Sequence, residues 1–171
     1  LETWKPNFAD FSALAPIVAY DRRGHGQSSP EPATPTLQRA IQTLRAMLRS
    51  AGADPPFVLV GHSWGGLIIR GFSDAYPAET AGLVYLDVPD FETTRQERAA
   101  VLPPEDRAAA LAPPTAPPIP PETPEGLRPA LQQMLHEMLN DYPTARAFRQ
   151  PPGIPVAAVV TTRADRMRGN G

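Results

Sequence analysis

FVLVGHSWGG, residues 57–66, places a serine between a short apolar run and a stretch of helical character. Phe57 to Val60 have the length and side chains of a buried parallel strand, and Leu67 to Tyr76 can continue as a helix. Gly61, Ser63 and Gly65 fill the G-x-S-x-G spacing of a nucleophile elbow, in which a serine stands exposed on a sharp strand-to-helix turn. The spacing has a steric cause. A hydroxyl that must stand clear of a sheet needs an unusual backbone conformation, and close approach of strand and helix leaves no room for a Cβ on either side. The competing reading, a serine in a structural loop, explains neither the strand before it nor the helix after it.

Working outward, Ile17 to Tyr20 is a second compact apolar run that predicts a buried strand, and Asp21 to Pro32 is a loop punctuated by glycine and proline. Ahead of it, Trp4, Phe8, Phe11 and Leu14 make a helical stripe interrupted near its start by Pro6. Thr34 can cap a helix that begins at Pro35, buries Leu37, Ile41, Leu44 and Leu48 along one face, and ends at Gly52. Downstream of the serine, Pro77 stops one helix, and Gly82 to Val88 and Pro155 to Thr161 read as further strands. Strands that are near-continuously apolar and separated by helices predict an α/β fold: a mostly parallel sheet with helices on both faces.

Between these strands the character changes. Of the 23 prolines, ten fall between Pro103 and Pro129, and a polar stretch, Phe91 to Leu102, precedes them. Leu127 to Asn140 then reads as an amphipathic helix, with Leu127, Leu131, Met134, Leu135, Met138 and Leu139 on one stripe. Residues 1–90 and 151–171 are therefore expected to form the core, and residues 91–150 a lid or cap. A solvated Pro/Ala-rich loop followed by an ordinary packed helix is the alternative.

With 171 residues, 42% hydrophobic and 20% charged, the chain is ordinary for one globular domain. Its net charge of −2, with both signs interspersed, gives no electrostatic reason to expect a nucleic-acid partner. No apolar run approaches the roughly 20 residues needed for a membrane span. The absence of cysteine excludes a thiol nucleophile, a disulfide framework and cysteine-based metal sites, and leaves the compartment open.

Taken in order, IVAYDRRGHGQSS (17–29), VLVGHSWGG (58–66), AETAGLVYLDVPD (78–90) and IPVAAVVTTRAD (154–165) resemble the α/β-hydrolase fold superfamily over nearly the whole chain. The resemblance implies that Ser63 is a nucleophile and that the backbone N–H of Trp64 is one oxyanion-hole donor. It implies an acid after a core strand: Asp165, or alternatively Asp87 or Asp90. The family's histidine base would follow the acid, and no histidine follows Asp165. Of the three present, His62 and His25 read as structural or loop-shaping and His136 as solvated. The second oxyanion donor would lie upstream of Leu1, so the chain is expected to be the middle of a longer hydrolase, inactive alone.

The implied reaction is cleavage of an ester, amide or related acyl bond through an acyl-serine, with no metal or organic cofactor. The substrate would be a small molecule with an apolar acyl or alcohol part. A serine at the elbow argues against the haloalkane dehalogenase and epoxide hydrolase branches, where a carboxylate stands. Acyl transfer to another acceptor and a non-catalytic binding or scaffold role are the alternatives.

Overall fold

A computed structural model describes residues 4–29, 36–88, 95–112 and 118–160. Its framework is a parallel sheet of β1 (Phe57–His62), β2 (Thr80–Leu86) and β3 (Val156–Val159) in the order β1-β2-β3. The register sets Leu59 beside Leu83, His62 beside Leu86 and Leu86 beside Val159. Around it lie α1 (Phe8–Ser12), α2 (Leu37–Ser50), α3 (Gly65–Ala75), α4 (Arg95–Ala100), α5 (Pro104–Leu111) and α6 (Arg128–Arg146).

The first of these forms where Pro6 allows it, in a 3-10 turn at Lys5–Asn7 that leads into α1. Thr36, two residues beyond the expected Thr34, is the N-cap of α2: its side chain accepts from the amide of Arg39 at 3.2 Å. The shift starts the helix on the first residue of its own apolar stripe. Leu37, Ile41, Leu44 and Leu48 are all buried, each burial contributing about 1.5–3 kcal/mol. Gly52, at φ +69°, closes the helix, with its amide on Arg49 O at 3.1 Å and that of Ala53 on Leu48 O at 3.1 Å. Only glycine takes that left-handed position without a Cβ penalty.

The stripe of α2 meets α3, where Leu67, Ile68, Ile69 and Phe72 join Leu59 and Leu83 of the sheet in one core. Gly71 lets the layers close, because a Cβ there would strike Ile41 and Phe148. On the opposite sheet face Val58 is 64%, Val60 43% and Val159 60% exposed. Alternation along β1 accounts for the first two, since Leu59 and Gly61 point to the helices and their neighbours point away, whereas β3 is exposed along its whole length.

Three differences from expectation have physical causes. Ile17–Tyr20 is not a strand: among the described residues it enters no ladder, although Tyr20 packs against the core. An apolar run of four supplies burial but cannot by itself specify a backbone partner. The Pro/Ala-rich segment contains α5, which starts with Pro104 in its first turn, where a missing amide costs nothing. Finally, α6 runs through Pro143 to Arg146, six residues past its expected end. Packing outweighs propensity there: Asp141 and Ala145 are buried, the latter in the core.

Glu79 and Arg45 tie the turn after α3 back to α2. Both carboxylate oxygens of Glu79 accept from Arg45 Nε at 3.1 Å, Arg45 Nη2 also donates to Glu79, and the guanidinium lies 4.0 Å from the centre of the Tyr76 ring. Hydrogen bonding from Arg45, helped by the charges of Arg45 and Arg49 against some burial, holds the Glu79 carboxyl below the usual carboxylate range. A depressed folded value stabilises above the unfolded value of about 4.3 and loses that contribution as pH falls through the folded one. Glu79→Gln is therefore expected to be less stable than the parent at neutral pH, with the gap closing on acidification. Urea denaturation across pH 7 to 3 checks this; a gap independent of pH would rule out the pairing as its cause.

Candidate active site

Ser63 lies between the last residue of β1 and the first turn of α3, at φ +50°. An L-residue in this region carries a penalty of about 1–2 kcal/mol. Two bonds of its own backbone and one of the next residue fix Ser63 there. Its amide donates to Leu86 O of the neighbouring strand at 3.0 Å, its carbonyl accepts from Gly66 at 3.0 Å, and Leu67 bonds back to Trp64 O at 3.0 Å. The corner thus sits at the carboxyl ends of β1 and β2, the edge at which parallel sheets leave a crevice.

The crowding expected on both sides of the serine is asymmetric. A Cβ at Gly61 would lie 2.6 Å from Gly65 O, 2.7 Å from Gly65 C and 2.8 Å from Gly66 N. At Gly65 a Cβ would meet nothing within 4 Å among the described residues; the tight position is Gly66, against the branched side chain of Val88. The cause is the direction of the helix: Gly65 begins α3 and faces outward, and Gly66, one residue on, turns to the end of β2.

Trp64 is the N-cap of α3 and caps with no side-chain bond. Its indole is buried, donates from Nε1 to Asp141 Oδ2 at 3.1 Å, and has the Arg22 guanidinium 4.2 Å from its centroid. Arg22 comes from the RRGHG loop, where Gly24 and Gly26 have φ of +75° and +53°. In that loop His25 Nε2 faces Arg22 Nη2 at 3.3 Å and Nδ1 faces Arg23 O at 3.1 Å. Arginine only donates, so Nε2 accepts and Nδ1 carries the hydrogen; both ring nitrogens are occupied by the loop itself. Nearby, burial pushes the Tyr20 phenol above its ordinary range, with the Arg22 charge acting in the opposite sense.

Of the three acid candidates, Asp87 follows β2 directly, half-buried, at φ +44°, with its amide on Val159 O at 2.7 Å. Since Ser63 bonds to Leu86, Asp87 and Ser63 lie at adjacent strand ends. Asp90 and Asp165 lie outside the described residues. His62 ends β1 exposed, and His136 is on α6 with its Nδ1 3.1 Å from Asn140 Nδ2. Among the described residues no group of three or more His, Asp or Glu could hold a metal ion, and no helix is long and apolar enough to cross a membrane.

Sequence reasoning missed Asp141 and Arg22 as neighbours of Trp64. A buried indole needs an acceptor for its N–H, but nothing local says that it comes from a residue 77 positions away.

The sequence is similar to YqjL, an uncharacterized protein of Bacillus subtilis, at 35% identity over 50% of this chain and 34% of YqjL. It is 43% identical to the lipase LipV of Mycobacterium tuberculosis over 42% of this chain and 27% of LipV. It is 31% identical to epoxide hydrolase 4 of Mus musculus over 51% of this chain and 24% of that protein. The chain thus spans about a third or less of the length of these curated relatives. The sequence profile described as Alpha/beta hydrolase family matches residues 2–169, almost end to end, so that the chain belongs to the alpha/beta hydrolase family.

Proposed function

We propose that the whole protein is a serine hydrolase that cleaves an ester, amide or related acyl bond of a small molecule with an apolar acyl or alcohol part. A lipase and an epoxide hydrolase among its relatives support a hydrolase; a serine instead of a carboxylate at position 63 favours acyl chemistry over epoxide opening. The observation that carries the reading is the left-handed backbone of Ser63, a strain that persists only where surrounding structure over-determines it.

In this reading Ser63 Oγ bonds to the acyl carbon as a base removes its proton, and the Trp64 amide donates to the oxyanion. The alcohol or amine leaves with that proton, and water then takes the acyl group as a carboxylic acid. Asp165 orients the base, with Asp87 or Asp90 as the alternative acid. The base itself is a histidine outside these 171 residues, because His25, occupied by its own loop, the exposed His62 and the half-buried His136 beside Asn140 do not suit the role. Residues 91–150 act as a cap over the acyl group, anchored through the end of α6, and the chemistry needs no metal or organic cofactor.

The test is turnover of p-nitrophenyl esters of graded acyl length by the chain expressed from its complete reading frame. Saturable hydrolysis is expected, whereas residues 1–171 alone should show little or none. Reversible binding of the same esters without turnover would favour a non-catalytic binding protein. Product appearing only with an added alcohol acceptor would favour an acyltransferase.

A further inference from the structure

Asp141 is buried, and it stands on α6, within the segment that separates β2 from β3. One carboxylate oxygen accepts from the Trp64 indole at 3.1 Å and the other from the amide of Leu37 at 3.3 Å. Leu37 is the first residue of α2, so its amide is one of the helix-initial donors that no residue of the helix can satisfy. A carboxylate there is also favoured by the dipole of α2. The two bonds join three elements far apart in sequence: the serine corner, the start of α2 and the end of α6. The Arg22 guanidinium packs over the face of the same indole, holding a ring that the hydrogen bond alone would leave free to tilt.

Removing a charge from water is costly, and a buried carboxylate that served only to fill space would be replaced at a gain by an apolar side chain. What this one adds is direction, because it fixes the indole of the residue whose backbone amide follows Ser63. We propose that Asp141 is a positioning residue for the serine corner: acting through the Trp64 indole, it holds the Ser63–Trp64 peptide in place and links that peptide mechanically to α6. The catalytic consequence rests on the acyl-serine reading above; the clamp on the indole does not.

The experiment uses the chain expressed from its complete reading frame and compares parent, Asp141→Asn, Trp64→Phe and the double variant, all below their melting temperatures. Asparagine has the size of aspartate but presents a donor where one of the two acceptors stood. The first readout is hydrogen exchange of the Trp64 indole N–H, followed by NMR with the Trp4 indole as internal reference. Exchange of Trp64 is expected to accelerate at least about tenfold in Asp141→Asn while Trp4 is unchanged.

The second readout is the rate at which a fluorophosphonate modifies Ser63. A small displacement of a reacting group can cost up to about 100-fold, so each single variant is expected to slow modification between about 10- and 100-fold without changing the KM for an ester substrate. The double variant is expected to be no slower than the worse single one. Unaltered indole exchange in Asp141→Asn, an unaltered modification rate in the folded variants, or additive losses would each overturn the proposal. If Asp141→Asn does not fold, Trp64→Phe removes the same bond from its other end and the same rates decide. If the parent is never modified, the acyl-serine reading falls and the catalytic part of this proposal falls with it; the exchange readout still shows whether Asp141 holds the corner.

Discussion

Ser63→Gly is expected to make the protein slightly more stable and to remove its turnover. The serine occupies φ +50°, where an L-residue carries about 1–2 kcal/mol of strain. Glycine takes that conformation freely but loses more backbone entropy on folding, by about 0.5–1 kcal/mol. Relief exceeds loss, leaving a gain of about 0.5–1 kcal/mol readable in urea denaturation. Ser63→Ala keeps the Cβ and so keeps the strain, and its stability should match the parent's. Both variants remove the oxygen proposed to attack, and loss of a nucleophile from a serine hydrolase costs upwards of about 10³-fold in kcat. The pair separates strain from chemistry: equal turnover loss with a stability gain only in the glycine variant. A glycine variant no more stable than the alanine variant would mean that the corner stores no strain. Turnover in either variant within about tenfold of the parent's would mean that another group attacks.

Gly61→Ala should cost the most stability. The added Cβ would lie 2.6–2.8 Å from the backbone of Gly65 and Gly66, atoms that cannot rotate aside as a side chain would. Relief requires the first turn of α3 to recede from β1 by the better part of an ångström. That helix contributes Leu67, Ile68, Ile69 and Phe72 to the core, and a close-packed interior answers such a shift with voids. The expected loss is about 3 kcal/mol, the upper end of ordinary overpacking costs, against a total of about 5–15 kcal/mol for a native protein. Gly65→Ala is the control, since its Cβ meets only open space among the described residues; it should change stability by less than about 1 kcal/mol. Denaturation midpoints of the two variants decide. Equal, small effects would show that strand and helix are not in backbone contact at the corner.

The parts of the fold legible in the sequence were those with a local cause. Gly52 ends α2 because a left-handed position follows the last helical turn, and the Leu37, Ile41, Leu44 and Leu48 stripe declares its buried face. The serine corner is legible for the same reason at Gly61, which is dictated by the backbone of Gly65 and Gly66 four and five residues on; Gly66 is set instead by the distant Val88. What was hidden depended on distant partners. Ile17–Tyr20 has the composition of a strand but joins no sheet among the described residues, and α6 outruns Pro143 because Ala145 reaches a core built elsewhere. Asp141 is the extreme case: by sequence it is one acidic residue near the end of an amphipathic helix, and only the fold sets it against Trp64 and Leu37.

Ser63 as the nucleophile is tested most directly by treating the chain, expressed from its complete reading frame, with a fluorophosphonate and locating the adduct by peptide mass spectrometry. The expected result is a single phosphonyl group on the peptide that contains Ser63, absent from Ser63→Ala and prevented by prior heat denaturation. An adduct on any other residue, or none on a folded protein that turns over esters, would contradict it.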